Sequence, residues 1–405
     1  MPTFIYSARK QSGEEYKGEV SAADRFMVYS KIRKEGGTVV SVEEKRHGIP
    51  LSMEALNNLF GSVSMAEKII LTRNLAAMIG AGLPLSRSLD VMERQTRNPK
   101  LKHILGEIGN DIKAGKNFHA ALETFPKIFP PIFVSMVKAG EESGKMVDAL
   151  KNLGDQMGRA YALNRRIKGA MTYPAIILIA MVIIGILMLV YVVPTLTQTF
   201  TELGAELPAT TRGIIATSTF LVEHTVISLV LIAGFISLFV TLLRTQRGQR
   251  AFDFTLLRIP VISELVKQAN SARTTRTLSS LLSSGVPVVT ALSITKDVLQ
   301  NSYFKEVLAA AEKSIERGEP VSKVFITHEK LYPVLVGEMM AVGEETGKLS
   351  EMLKDVAAFY EEEVEQKTKD LSTIIEPFLM IFIGSVVGFF ALAMISPIYS
   401  ISQSI

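Results

Sequence analysis

Two stretches of this chain, Leu71 to Pro194 and Thr274 to Pro397, are copies of one another. Gly82-Leu-Pro84 returns as Gly285-Val-Pro287, Gly140-Glu-Glu-Ser-Gly-Lys145 as Gly343-Glu-Glu-Thr-Gly-Lys348, and Phe129-Pro130 as Tyr332-Pro333. Asn98, Pro174 and Pro194 return as Asn301, Pro377 and Pro397. Each pair is 203 positions apart, so no residue has been gained or lost between the landmarks. Solenoid repeats run about 20 to 50 residues, so a unit this long is a domain together with whatever follows it.

Each copy ends in a membrane-length segment. Residues 171–193 are uncharged and apolar. As a helix rising about 1.5 Å per residue they reach roughly 34 Å, enough to cross a hydrocarbon core of about 30 Å. The second copy ends likewise in residues 374–397, with Glu376 just before the apolar run Pro377 to Ile395. A third run, residues 226–243, has no counterpart in the repeat. Its purpose is topological: one crossing between two copies of a domain would strand them on opposite sides, and a second crossing brings the chain back.

Charge placement sets the orientation. Arg159, Arg165, Arg166 and Lys168 precede the first span, Arg244, Arg247 and Arg250 follow the second, and Lys367 and Lys369 precede the third. The connecting segment 194–225 carries Arg212 against Glu202, Glu206 and Glu223. The positive-inside rule then puts the N-terminus and both copies in the cytoplasm, and the connecting segment and the C-terminus outside. The basic residues read as topology signals and lipid-headgroup contacts, not as a nucleic-acid surface. With no cysteine, disulfides, thiol nucleophiles and cysteine-ligated metals are excluded. The first thirty residues lack a signal-peptide apolar region, so the first span is expected to act as the insertion signal.

The pattern predicts a mostly α-helical protein. Residues 1–45 read as a small ββαβ module: Thr3 to Arg9 and Tyr16 to Ser21 alternate around a turn at Gln11 to Gly13, and a helix over Ala22 to Glu35 stops at Gly36-Gly37 before a β-rich Thr38 to Val42. Residues 46–63 read as a linker. Ser64 with Glu67 makes a capping box for the first bundle helix, and helical patterns recur at Leu85 to Gln95, Lys100 to Ile112, Phe118 to Thr124, Pro131 to Lys138 and Lys145 to Arg166. The expectation is two homologous helical bundles, residues 64–169 and 264–371, with three transmembrane helices.

No motif supplies catalysis. Gly140 to Lys145 and Gly343 to Lys348 are not phosphate loops, since three residues separate the glycines and Met146 or Leu349 follows the lysine. Gly80-Ala-Gly82 lacks the third glycine of a dinucleotide site, no His-Glu-x-x-His is present, and no serine sits in a Gly-x-Ser-x-Gly elbow. The expectation is a non-enzyme without cofactor or metal. The plain reading of the acidic repeats is a helix–helix corner, with Gly140 ending one helix and Ser143 or Thr346 capping the next. The alternative is an exposed partner or cation site at Glu141 and Glu142, and again at Glu344 and Glu345, which Asp148 or Glu351 could join. His328 is expected at the surface. Gly384 and Gly388, with Gly185 matching in the first copy, form a small-residue face for transmembrane packing within or between molecules. Glu376 is either a snorkelling or lysine-paired carboxylate or a recognition point for a partner helix entering the bilayer.

These residues resemble the inner-membrane platform proteins of type IV pilus and type II secretion machines over essentially the whole chain. The resemblance rests on the module around Tyr6 and Gly18, Leu71-Thr-Arg-Asn-Leu with Gly82-Leu-Pro84, both acidic repeats, Tyr173-Pro174, Val193-Pro194 and Leu207-Pro-Ala-Thr-Thr211. The segment Phe200 to Pro208 looks slightly more like pilus platforms than secretion ones. Glu376 replaces Tyr173 in the second copy, and Ser271 to Thr277 lacks the aromatics often seen there, so the lobes need not share one partner. The resemblance implies a homo-oligomer in the bacterial inner membrane that takes a cytoplasmic assembly ATPase, pilin or pseudopilin subunits and other inner-membrane assembly proteins as partners. The reading from another class is a small transporter or channel component. Against it, transporter repeats are repeats of spans, whereas each copy here carries a single span.

Overall fold

The computed structural model of the chain describes residues 3–9, 15–22, 25–34, 38–44, 62–202, 208–260 and 262–404. The expected turn at Gln11 to Gly13, the helix stop at Gly36-Gly37, nearly all of the 46–63 linker, and residues 203–207 of the connecting segment lie outside the described residues. In the N-terminal unit β1 (Thr3–Arg9) lies between β2 (Glu15–Ser21) and β3 (Thr38–Glu44), antiparallel to both. Tyr6 stands opposite Gly18, where a Cβ would sit 2.6 Å from the Tyr6 hydroxyl. A side chain at Gly18 would push that ring aside. Helix α1 (Arg25–Lys34) buries Val28 and Ile32 with Ala8 and Ala22.

The first lobe runs α2 (Met65–Gly80), α3 (Leu85–Gln95), α4 (Pro99–Lys113), α5 (Phe118–Glu123), α6 (Pro131–Glu142) and α7 (Met146–Leu187). After a π-helical turn at Met188–Val192 come α8 (Val193–Glu202), α9 (Ala209–Glu223), α10 (Thr225–Arg244) and α11 (Gln246–Arg258). The second lobe repeats the order as α12 (Ile262–Ser283), α13 (Val288–Val298), α14 (Ser302–Glu316), α15 (Val321–Thr327), α16 (Val334–Thr346) and α17 (Leu349–Ser404).

Local chemistry sets these boundaries. The Ser64 hydroxyl accepts from the Glu67 N–H at 3.2 Å, and the Glu67 carboxylate accepts from the Ser64 N–H at 2.7 Å, which closes the capping box. Turns fall at left-handed glycines in matching positions: Gly82, Gly115 and Gly144 at φ 89°, 89° and 70°, and Gly285, Gly318 and Gly347 at 86°, 78° and 70°. A side chain at these positions would be strained, so the duplicated glycines hold the duplicated fold. Around the resulting corners Leu71, Leu75, Leu89, Ile108, Phe118 and Phe133 are buried in the first lobe. In the second, Tyr332 meets Phe304 and Phe325 edge-on at 5.0 and 4.7 Å between centroids.

Three helices among the described residues are long and apolar enough to cross a membrane, and two of them are also the last helices of the lobes. No break separates lobe from span: α7 continues through Arg166, Lys168 and Pro174, and α17 through Lys369 and Pro377. The π turn at Met188–Val192 lies just before Pro194, whose ring would clash with the carbonyl four residues back in an unmodified helix. The connecting segment is itself largely helical. Val193, Phe200 and Met394 form a cluster there, and Thr211 donates to the Ala393 carbonyl at 2.6 Å. At 15 residues α9 spans roughly 22 Å, too short to cross.

Candidate functional site

The acidic corners are built differently from the expected exposed turn. Glu141 lies on the last turn of α6 and reaches across to the start of α5. There the N–H groups of Phe118 and His119 donate to its two oxygens at 2.8 and 3.1 Å, and His119 Nδ1 lies 2.6 Å away. Glu344 does the same in the second lobe, accepting from the N–H groups of Val321 and Ser322 at 2.7 and 3.2 Å and from the Ser322 hydroxyl. Both carboxylates are therefore helix caps supplied from 22 or 23 residues away, satisfying donors that a six- or seven-residue helix leaves open. Glu142 and Glu345 remain exposed. Among the described residues no group of three or more His, Asp or Glu is placed to hold a metal, so Asp148 and Glu351 do not complete a cation site with these corners.

The glycines and hydroxyls also take other roles than expected. Gly140 and Gly343 do not end their helices but lie within them. A Cβ on Gly140 would stand 2.4 Å from Ala149 Cβ, and one on Gly343 2.8 Å from Leu349 Cα, so each glycine lets the next helix turn back against its own. Ser143 caps no following helix; its hydroxyl donates backward to the Ala139 carbonyl at 2.6 Å, as Thr346 does to Val342 at 2.7 Å. The actual turn residues are Gly144 and Gly347. His328 is half-buried, with Nδ1 2.8 Å from the Val324 carbonyl.

Burial would raise the Glu141 carboxyl, but the bonds from Phe118 and His119 outweigh it and hold it below the ordinary 4.5. A depressed carboxyl stabilises the fold above its unfolded pKa, and that contribution is lost as pH falls through the folded value. Glu141→Ala and Glu344→Ala are each expected to cost about 1–3 kcal/mol at neutral pH, because buried N–H donors are left open. The Glu141→Ala deficit shrinks on acidification below about pH 4.5. Thermal unfolding across pH in detergent checks both statements, and a deficit that does not change with pH contradicts the assigned cap.

The second construction is the seam between the lobes. Helix α7 of the first lobe lies against α12 and α17 of the second. The Arg276 guanidinium forks onto Glu361 at 2.7 and 2.9 Å, with side chains 9% and 15% exposed, and Arg159 reaches the same carboxylate at 3.4 Å. Gln156 donates to the Thr277 hydroxyl at 3.2 Å in a buried position, Arg273 donates to Asn164, and Arg166 pairs with Glu365. Sequence reasoning missed this seam. Its signal is the run Asn270 to Thr277, whose residues are buried apart from a half-buried Arg273 although most are polar. Such a helix needs partners on every side.

Sequence reasoning also missed α11. Asp253 there accepts from the Ser302 N–H and hydroxyl at 2.8 and 2.7 Å, fastening the chain after the second span to the start of α14. Gly248 is obligatory, since a Cβ would lie 1.9 Å from the Leu242 carbonyl oxygen. Within the spans, Gly185, Gly384 and Gly388 have open space where a Cβ would go. Glu376 is exposed, and among the described residues no hydrogen bond or ion pair reaches it.

Comparison with known proteins agrees with this duplicated arrangement. Residues 71–194 and 274–397 each match the family model described as type II secretion system (T2SS), protein F, and residues 1–43 match that of the type II secretion system protein F N-terminal domain. The chain is 36% identical to the type IV pilus assembly protein PilC of Thermus thermophilus, covering 99% of this chain and 98% of that one. It is 32% identical to the PilC of Myxococcus xanthus, over 99% and 95%. It is also 31% identical to the type II secretion system protein F of Xanthomonas campestris pv. campestris, over the whole of both chains.

Proposed function

The chain belongs to the type II secretion system protein F family, and on that footing we propose that it is an inner-membrane platform coupling a cytoplasmic assembly ATPase to the insertion of pilin or pseudopilin subunits into a filament. The observation that carries this reading is the continuity of lobe and span: α7 and α17 each begin as a lobe helix and end as an apolar helix of membrane length. Force applied to a lobe then moves its span without a hinge between them. The motor supplies the nucleotide chemistry, and this chain supplies the lever, with no catalytic residue of its own.

The same proposal places both lobes and the N-terminus in the cytoplasm, with residues 194–225 and the C-terminus on the outer side, following the arginines and lysines that flank the spans. It treats residues 1–45 as a discrete ββαβ module and 46–63 as its linker. It takes the exposed Glu142 and Glu345 as surface for the motor. It assigns Glu376 to recognition of a subunit helix at the bilayer edge, and Gly185, Gly384 and Gly388 to close helix packing. A break in α7 between lobe and span tests the coupling in cells: undiminished filament assembly with that helix broken contradicts it.

A further inference from the structure

The two lobes share a fold but present different faces to each other. The first lobe uses α6 and α7, and the second uses α12, α13 and α17. The faces therefore meet head to tail, not by a twofold, and each lobe is left with the face the other has used. Residues of the first lobe equivalent to the second lobe's seam are open: Asn74 stands for Thr277, Ile70 for Arg273 and Leu83 for the buried Val286. On the second lobe, Phe359 stands for the buried Gln156 and is 47% exposed, and Val334, in place of Pro131, is 60% exposed.

We propose that these two open faces bind each other between copies of this chain, so that the second lobe of one molecule docks on α2, α3 and α7 of the next as the lobes dock within one molecule. Charge supports a second copy as the occupant. The open face of the first lobe carries exposed Arg73, Arg87 and Arg94, and that of the second carries exposed Glu338 and Glu362. Carrying the internal contact over by 203 positions puts Glu362 where Arg159 stands and Arg73 where Arg276 stands, so oppositely charged groups meet. Arg73 is meanwhile held by the exposed Asp155 at 3.3 Å, an ion pair that docking can exchange at little cost. Contacts along the seam run in the same order on both helices, Arg159 with Glu361 and Arg166 with Glu365, so α7 and α17 are parallel and the repeated contact spreads sideways. Head-to-tail contacts of this kind build rings where the rotation closes and open arrays where it does not.

A chain without cysteine allows a clean test. Asn74→Cys and Phe359→Cys in one molecule reproduce the position of the Gln156–Thr277 contact across two molecules, and a short bifunctional maleimide is applied to native membranes containing the full chain. The expected result is a ladder of dimer, trimer and larger species from the double variant, with neither single variant cross-linking. A dimer from Asn74→Cys alone would show a twofold contact and overturn the proposal, as would a double variant that stays monomeric. In the double-cysteine background, Arg73→Glu or Glu362→Arg is expected to remove the larger species and the two together to restore them. Loss without restoration would overturn the pairing of these faces.

Discussion

Four glycines inserted after Gly169 are expected to abolish filament assembly while leaving the protein in the membrane at its normal level. The insertion falls where α7 has left the first lobe's core and has not yet reached its apolar run, and a Cβ on Gly169 itself would meet nothing within 4 Å. Each glycine weakens a helix by about 1 kcal/mol relative to alanine, so four in succession, about 4 kcal/mol, open it locally. Both lobes keep their cores, because the insertion touches none of their buried residues. Four alanines at the same place are the control: they preserve the helix and rotate the lobe by roughly 40° relative to the span. Assembly is expected to survive the alanines at least in part and to be lost with the glycines. Equal loss would show that angle or spacing matters in place of stiffness, and equal retention that α7 transmits nothing.

Arg276→Ala is expected to cost about 3–5 kcal/mol, because it leaves the Glu361 carboxylate nearly buried with only the longer contact to Arg159. Glu361→Ala leaves the Arg276 guanidinium in the same position and is expected to cost a similar amount. The double replacement should cost less than the sum of the two, since no orphaned charge remains, and the shortfall measures the coupling. Arg276→Lys does not rescue, because an ammonium cannot offer two parallel donors to one carboxylate. Denaturant unfolding in detergent, followed by protease resistance at the seam, reads these differences. Additive single losses would mean that the two side chains are not coupled within the second lobe's side of the seam.

Much of this fold is legible in the sequence because its determinants are local. The capping box at Ser64, the prolines at helix starts and the glycines at 82 and 285 act within a few residues, and the apolar runs declare their length. What the sequence hides is through-space. Glu141 looks like one of two exposed acids at a corner until folding brings the start of α5 to it. Gly140 looks like a helix stop because its true constraint, Ala149, belongs to the next helix. The continuity of α7 is masked by its change from charged to apolar residues near position 170, which reads as a domain boundary although the hydrogen bonding continues. The seam was unreadable for a further reason: the copies differ there, with Gly158 facing Arg73 in one lobe and Glu361 facing Arg276 in the other. Looking for likeness between copies passes over the places where they have diverged to fit each other.

The central claim is that two copies of one lobe stand on the same side of a membrane and drive it through their own helices. Single cysteines placed in the natural cysteine-free chain at Lys116→Cys and Glu319→Cys, equivalent and exposed in the two lobes, and at Glu223→Cys beside the second span, can be labelled with a membrane-impermeant maleimide in spheroplasts. The account predicts that Glu223→Cys is labelled in intact spheroplasts, while Lys116→Cys and Glu319→Cys react only after the membrane is permeabilised. Labelling of one lobe position but not the other in intact spheroplasts would put the lobes on opposite sides and contradict it.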